Sequence, residues 1–283
     1  MSASGAARAP WVGEVLDGRP PAPVVLVLGG FLTSPPLYRP FVRDLRAAGA
    51  ADVVVARVWA MDWLIAASRG LGPILTRSGR ALLEASRQSE AVAGGAPVLV
   101  IGHSAGGVSA RLLTSPEPFQ GRRLNGSSRI GAIVTLGTPH VVTLEVETRS
   151  RVGALAADFV NRVVPGAAYA PRTGYLAVGS RKTVGRRQGT AGERRAFALY
   201  DGLTPERGRN EIEGDGLIPL ASSLLPGVPQ LVLDDAAHGQ GIGRDWYGSP
   251  AILARWWPLA LAAWHEALIA RAEASFDGSG DRR

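Results

Sequence analysis

The chain has 283 residues, of which 46% are hydrophobic and 19% charged, with a formal net charge of +7. That apolar content supports a sizeable core and excludes disorder over most of the length. Cysteine is absent, which excludes disulfides and thiolate metal sites, and four scattered histidines form no ligand cluster, so neither metal nor cofactor is expected.

In chain order, residues 1–22 read as a loose leader rich in Ala, Gly, Arg and Pro. They carry no apolar core of a signal peptide, so a cytoplasmic location is the default expectation. Residues 24–28 are a short β-branched run, read as a buried parallel strand and broken by Gly29-Gly30. Residues 37–48 have helical periodicity, 52–58 read as a second strand, and 73–93 as a helix closed by Gly94-Gly95. Residues 98–101 form a third strand, with a helix at 108–113 and a fourth strand at 129–136. Further strands are expected at 175–178 and 231–233. Strands alternating with helices predict a mostly parallel central sheet with helices on both faces.

The basic residues are almost all arginines, since Lys182 is the only lysine. They are dispersed except for Arg181, Lys182, Arg186, Arg187, Arg194 and Arg195, which read as a solvated loop. No interleaved aromatic platform or helix-turn-helix accompanies them, so no nucleic-acid partner is expected. Residues 251–269 are apolar but interrupted by Arg255, Pro258, His265 and Glu266, so they do not read as a membrane span. Trp256, Trp257 and Trp264 in that stretch could meet a membrane surface, but packing of a terminal helix on the sheet is the favoured reading. The expected organisation is one domain over 23–274, with a frayed tail at 275–283.

The strand at 98–101 runs into Gly102-His103-Ser104-Ala105-Gly106 and then a helix. With 36 glycines and 19 serines, chance alone gives roughly 0.3 matches to G-x-S-x-G, so the context decides. A strand, sharp turn and helix would hold the Ser104 hydroxyl above a sheet edge, where a base and a carbonyl substrate can both reach it. A serine hydroxyl is a weak nucleophile and needs a general base oriented by an acid.

His103 neighbours the serine and should point away from it, and His265 reads as a structural helix residue. His140 follows a strand in a Thr-Pro turn and stays open. His238, in a loop after the last strand, is the favoured base. Asp215, between glycines in Gly214-Asp215-Gly216, is the favoured acid. Asp234 and Asp235 lie close to His238 in sequence for that task, and Asp201 is weaker. The oxyanion donors are expected to be the backbone amides of Ala105 and, after Gly29-Gly30, of Phe31.

These pieces together resemble the α/β-hydrolase superfamily, in its lipase-like branch. The resemblance rests on residues 24–31, 102–107, Leu136-Gly137-Thr138-Pro139-His140, Gly214 to Pro219, and His238. The L-G-T-P-H and G-D-G-L-I-P strings are similar to those of bacterial triacylglycerol lipases, GPI inositol-deacylases and lecithin-cholesterol acyltransferases. The resemblance implies an α/β-hydrolase fold, Ser104 as nucleophile, Asp215 as acid, His238 as base, and no catalytic role for His140. It also suggests a small cap from residues 141–170. Gly29 stands where the family's oxyanion loop has histidine.

The implied activity is cofactor-free hydrolysis of carboxylic esters through an acyl-enzyme, with a small-molecule or lipid ester as substrate. An acyltransferase or thioesterase would use the same groups. Two other readings are a non-catalytic binding protein on this scaffold and a protein with peripheral membrane contact. Oligomeric state is not expressed in the sequence.

Overall fold

A computed structural model describes residues 9–142, 151–204 and 208–280. Its strands are β1 (Val24–Leu28), β2 (Asp52–Val55), β3 (Val98–His103), β4 (Ile130–Leu136), β5 (Gly174–Ser180), β6 (Thr183–Arg186), β7 (Glu211–Gly214) and β8 (Gln230–Leu233). Six of them form one sheet in the order β2-β1-β3-β4-β5-β8, and every neighbouring pair is parallel. All residues of β1, β3 and β4 are buried, which is why these strands read as continuous apolar runs rather than alternating ones. β6 and β7 form a separate antiparallel pair.

The helices are α1 (Pro10–Leu16), α2 (Arg39–Ala47), α3 (Ala60–Arg69), α4 (Gly72–Val92), α5 (Ala105–Thr114), α6 (Arg151–Val163), α7 (Ala191–Asp201), α8 (Leu220–Ser223) and α9 (Pro250–Gly280). The chain leaves β1 through α2 for β2 on one side, then returns through α3 and α4 to β3 on the other. Right-handed crossovers in opposite directions put α2 and α4 on opposite faces of the sheet. α5 packs with α4 and α6, whereas α9 packs on β4, β5 and α1. The result is a parallel sheet covered on both faces, as the alternation of strands and helices in the sequence predicts.

The strand order reverses between β1 and β3, so the carboxyl ends of these two strands open a crevice. Residues 29–31 and 102–104 meet there.

Three expectations need correction. Residues 1–22 are not loose throughout. Trp11, Val12 and Val15 of α1 are buried, and α1 packs on α9 because its apolar face has a partner there. The expected frayed tail is helical as far as Gly280, because α9 simply continues. The arginine cluster is not a loop but lies on β6, α7 and their flanks. Arg181 pairs with Asp234, and Arg186 with Glu193 and Glu211. A capping box of Thr190 and Glu193 starts α7. Part of the expected cap, residues 143–150, lies outside the described residues.

Trp256, Trp257 and Trp264 are buried, and each indole N–H donates to a backbone carbonyl, of Tyr247, Ala48 and Pro97 in turn. They face the protein rather than a membrane. Among the described residues, no helix is long and apolar enough to cross one.

Candidate active site

Ser104 stands at the junction of β3 and α5 with φ 55° and ψ −130°. A non-glycine residue avoids that region, so the turn is strained and must be held by its surroundings. Two backbone bonds hold it: the Ser104 N–H donates to Leu136 O at 2.9 Å, and the Gly107 N–H to Ser104 O at 3.0 Å. The turn also requires small neighbours. A Cβ on Gly106 would lie 2.1 Å from the Leu28 carbonyl oxygen. The first turn of α5 can therefore press against the end of β1 only without a side chain there.

Ser104 opens onto a cavity of about 290 Å³. Phe31, Trp63, Leu71, Val108, Leu203 and Ile218 are among its lining residues, and among the described residues of its wall only Ser104 and Ser109 carry hydroxyls.

Asp215 follows β7 and is fully buried. Its Oδ1 accepts the amides of Leu217 at 3.0 Å and Ile218 at 2.7 Å. Its Oδ2 lies 2.8 Å from His238 Nδ1 and accepts the Tyr247 hydroxyl at 3.0 Å. A carboxylate only accepts, so His238 Nδ1 carries its proton and Nε2 keeps a lone pair. The two residues are also tied through their backbones, His238 N–H to Asp215 O at 2.9 Å. Gly137 of the L-G-T-P-H string makes room for the pair. It has φ 54°, and a Cβ there would sit 2.6 Å from Asp215 Oδ2 and 3.1 Å from His238 Nδ1. Among the described residues Ser104 Oγ makes no hydrogen bond, to the His238 ring or elsewhere; contacts of this kind often tighten only with substrate in place.

Neither of the two expected oxyanion amides has an acceptor among the described residues. Ala105 is the first residue of α5, whose N–H has no acceptor within the helix. Phe31 N–H donates to no described group, whereas the Gly30 N–H is taken by the Tyr38 hydroxyl at 2.9 Å. A Cβ on Gly30 would lie 2.8 Å from Ser104 Cβ, so this loop passes directly over the serine. At Gly29 a Cβ would lie 2.9 Å from the Tyr38 ring and 2.8 Å from Thr33 Oγ1. The space at that position belongs to Tyr38.

No model of a known protein family matches the chain, and no curated protein matches it. Solved structures do. Esterase 2 of Thermogutta terrifontis, phosphoramylated by tabun, is 15% identical over 86% of this chain and 81% of its own, with a TM-score of 0.44. Est1E of Butyrivibrio proteoclasticus is 12% identical over 86% and 89%, with a TM-score of 0.42. Tomato methylketone synthase I in complex with 2-tridecanone is 11% identical over 86% and 99%, with a TM-score of 0.41. The match to the pyrethroid hydrolase PytH is 17% identical and covers 43% of this chain and 42% of that one, under half its length, with a TM-score of 0.29.

The remaining histidines and acids lie elsewhere. His140 is sealed beneath α5 and α6. Its Nδ1 is 3.4 Å from Arg111 Nη1 and its Nε2 3.1 Å from Thr135 Oγ1. Burial, and secondarily the Arg111 charge, hold its pKa well below the ordinary 6.5. His265 is half-buried on α9. Asp234 and Asp235 are exposed and paired with Arg181 and Arg255. His103 turns its ring away from the cavity, towards Tyr38 and the His238 backbone. Among the described residues no cluster of three or more His, Asp or Glu could hold a metal.

Sequence reasoning missed Tyr38, Trp63 and Tyr247. Tyr38 lies in a Pro-Pro-Leu-Tyr turn, and the only hint of it was the absent side chain at Gly29. Nothing in the local pattern marks Tyr247.

Proposed function

We propose that the protein is a serine hydrolase of carboxylic esters, of the lipase-like kind, with Ser104 as nucleophile, His238 as base and Asp215 as orienting acid. The observation that carries this reading is the Asp215–His238 pair, at 2.8 Å, beside a strained serine at the mouth of an apolar cavity. Ser104 Oγ attacks the acyl carbon and its proton passes to His238 Nε2. The developing oxyanion takes the Phe31 and Ala105 amides, with the N-terminal end of the α5 dipole behind it. The C–O bond to the alcohol breaks, and His238 returns the proton to the departing oxygen. Water then attacks the acyl-enzyme, with His238 as base again, and the carboxylic acid leaves.

The cavity lining favours an apolar acyl group, held by contact area rather than by hydrogen bonds. The reading as a non-catalytic binding protein is motivated by Gly29 in the oxyanion loop. Against it stand the Ser104, Asp215 and His238 set and the Tyr38 hydroxyl, which holds the Gly30 amide and leaves the Phe31 amide without a described acceptor.

A fluorophosphonate probe tests the reading without assuming a substrate. Wild type is expected to label, and Ser104→Ala and His238→Ala are expected not to. Labelling that survives Ser104→Ala, or no labelling of folded wild type, overturns it. An ester series of increasing acyl length would then show turnover rising with chain length up to the capacity of the cavity.

A further inference from the structure

The buried ring of His103 and the hydroxyl of Tyr38 connect two loops that the reaction must hold in register. His103 Nε2 lies 2.8 Å from the carbonyl oxygen of His238. A carbonyl can only accept, so Nε2 carries a proton. Nδ1 lies 2.9 Å from the Tyr38 hydroxyl. Burial, with the neighbouring His238 as a lesser cause, lowers the pKa of His103 to about 3, so the ring is neutral and Nδ1 is an acceptor. Tyr38 therefore gives its one proton to His103 at 2.9 Å in preference to Thr33 Oγ1, the more distant acceptor at 3.3 Å. Its oxygen receives the Gly30 N–H at 2.9 Å. Thr33, 3.3 Å from the same oxygen, gives its own proton to Gly30 O at 2.7 Å.

Every proton in the chain is thus assigned, and all point one way. Gly30 N–H donates to Tyr38, Tyr38 O–H to His103, and His103 N–H to the His238 carbonyl. One end of the chain is the residue before the Phe31 amide. The other is the backbone of the proposed base. Reversing the His103 tautomer would set a bare Nε2 lone pair against the His238 carbonyl, acceptor against acceptor, so this arrangement is the satisfied one. The groups facing His103 are Tyr38, from the turn before α2, Trp246 at 5.3 Å between ring centres, His238 at 5.0 Å, and the more distant charge of Asp215.

We propose that Tyr38 and neutral His103 are positioning residues that lock the oxyanion loop to the loop carrying His238, so that the Phe31 amide and the His238 ring keep a fixed relation to Ser104. The proposal rests on the hydrolase reading for its effect on rate, but not for the coupling itself. The lock replaces with a side chain from residue 38 what position 29 cannot supply, since a side chain at Gly29 would collide with Tyr38.

Two measurements separate the coupling from the activity. In wild type labelled with 15N-histidine, His103 should show a protonated Nε2 and an unprotonated Nδ1 that do not change between pH 8 and pH 5. In Tyr38→Phe, the Gly30 amide and the His103 ring signals should shift together, along with the His238 carbonyl. A proton on Nδ1, titration within that range, or a shift confined to Gly30 overturns the proposal whether or not the protein is a hydrolase.

For the rate, Tyr38→Phe and His103→Leu should each slow fluorophosphonate labelling at least tenfold, and lower kcat for an ester with KM within about twofold. His103→Gln, which keeps an N–H for the His238 carbonyl, should recover part of the loss. Tyr38→Phe retains the buried ring and guards against simple unfolding of the histidine variants. Wild-type labelling rates in folded Tyr38→Phe and His103→Leu, or a rise in KM at constant kcat, overturn the positioning role. If wild type does not label, the hydrolase reading fails and the nitrogen signals alone decide the coupling.

Discussion

His238 and His140 both follow the carboxyl end of a sheet strand and both are buried, yet their surroundings are opposite. His238 places Nδ1 on the Asp215 carboxylate and lies with its ring against that of His103, the residue before Ser104. His140 faces the guanidinium of Arg111 with the corresponding nitrogen, 3.4 Å away. A carboxylate behind the ring fixes the tautomer, with the proton on Nδ1, whereas at His140 burial and then the neighbouring cation oppose protonation. The same side chain thus serves as a candidate proton carrier in one place and as a neutral packing group in the other, and its partner decides which. Arg111 itself has no carboxylate among the described residues. It bonds Asn161 Oδ1 and the Val160 and Val164 carbonyls at the end of α6, where the helix dipole supplies negative charge.

The largest expected effect comes from taking the charge off the partner of His238. Asp215→Asn should leave the fold intact and lower kcat for ester hydrolysis by about 10⁴-fold, the scale on which loss of an orienting carboxylate acts in serine hydrolases. A loss below tenfold would mean that Asp215 does not orient His238. The other region should respond in stability rather than rate. Arg111→Met leaves His140 Nδ1, Asn161 and two helix-end carbonyls short of a donor, and should cost about 3 kcal/mol in a denaturant titration. Labelling of Ser104 in the folded fraction should stay within about threefold of wild type, and loss of labelling there would show that the two regions are not separate. Tyr247→Phe should be milder. It removes one of two bonds to Asp215 Oδ2 and should cost about 1.5 kcal/mol of stability, with a rate loss below tenfold.

The fold was legible because its signals are local. Buried parallel strands are unbroken apolar runs, and β1, β3 and β4 sit within a residue or two of their expected bounds. Ser104, Asp215 and His238 were legible because each follows a strand and is flanked by glycines or lies in a short polar loop. The β6–β7 pair was missed because its strands are four residues long and separated by α7, so no hairpin signal joins them. α3 was missed because Met61, Leu64 and Ile65 are exposed, which blurs its apolar stripe. Tyr38 and Tyr247 were missed because their roles depend on contacts with residues 65 and 32 positions away. Sequence periodicity carries no information about such pairs.

The effect that sharpens the comparison most is in the pH dependence of stability. An unfolded histidine takes up a proton near its ordinary pKa of 6.5, whereas His103 holds out to about 3 and His140 well below 6.5. Between those values the unfolded chain binds more protons than the folded one, so stability falls as pH is lowered. The contribution of each ring is fully present above pH 6.5 and is lost progressively as pH drops towards its folded pKa. Each should contribute a slope of up to about 1.4 kcal/mol per pH unit. Urea midpoints at pH 7.5, 6 and 5 would measure it. His140→Gln removes one of the two protons and should flatten the slope by that amount while Ser104 labels at its wild-type rate. An unchanged slope would mean that His140 takes up its proton in the folded protein as it does in the unfolded chain, and the contrast between the two histidines would fail at its root.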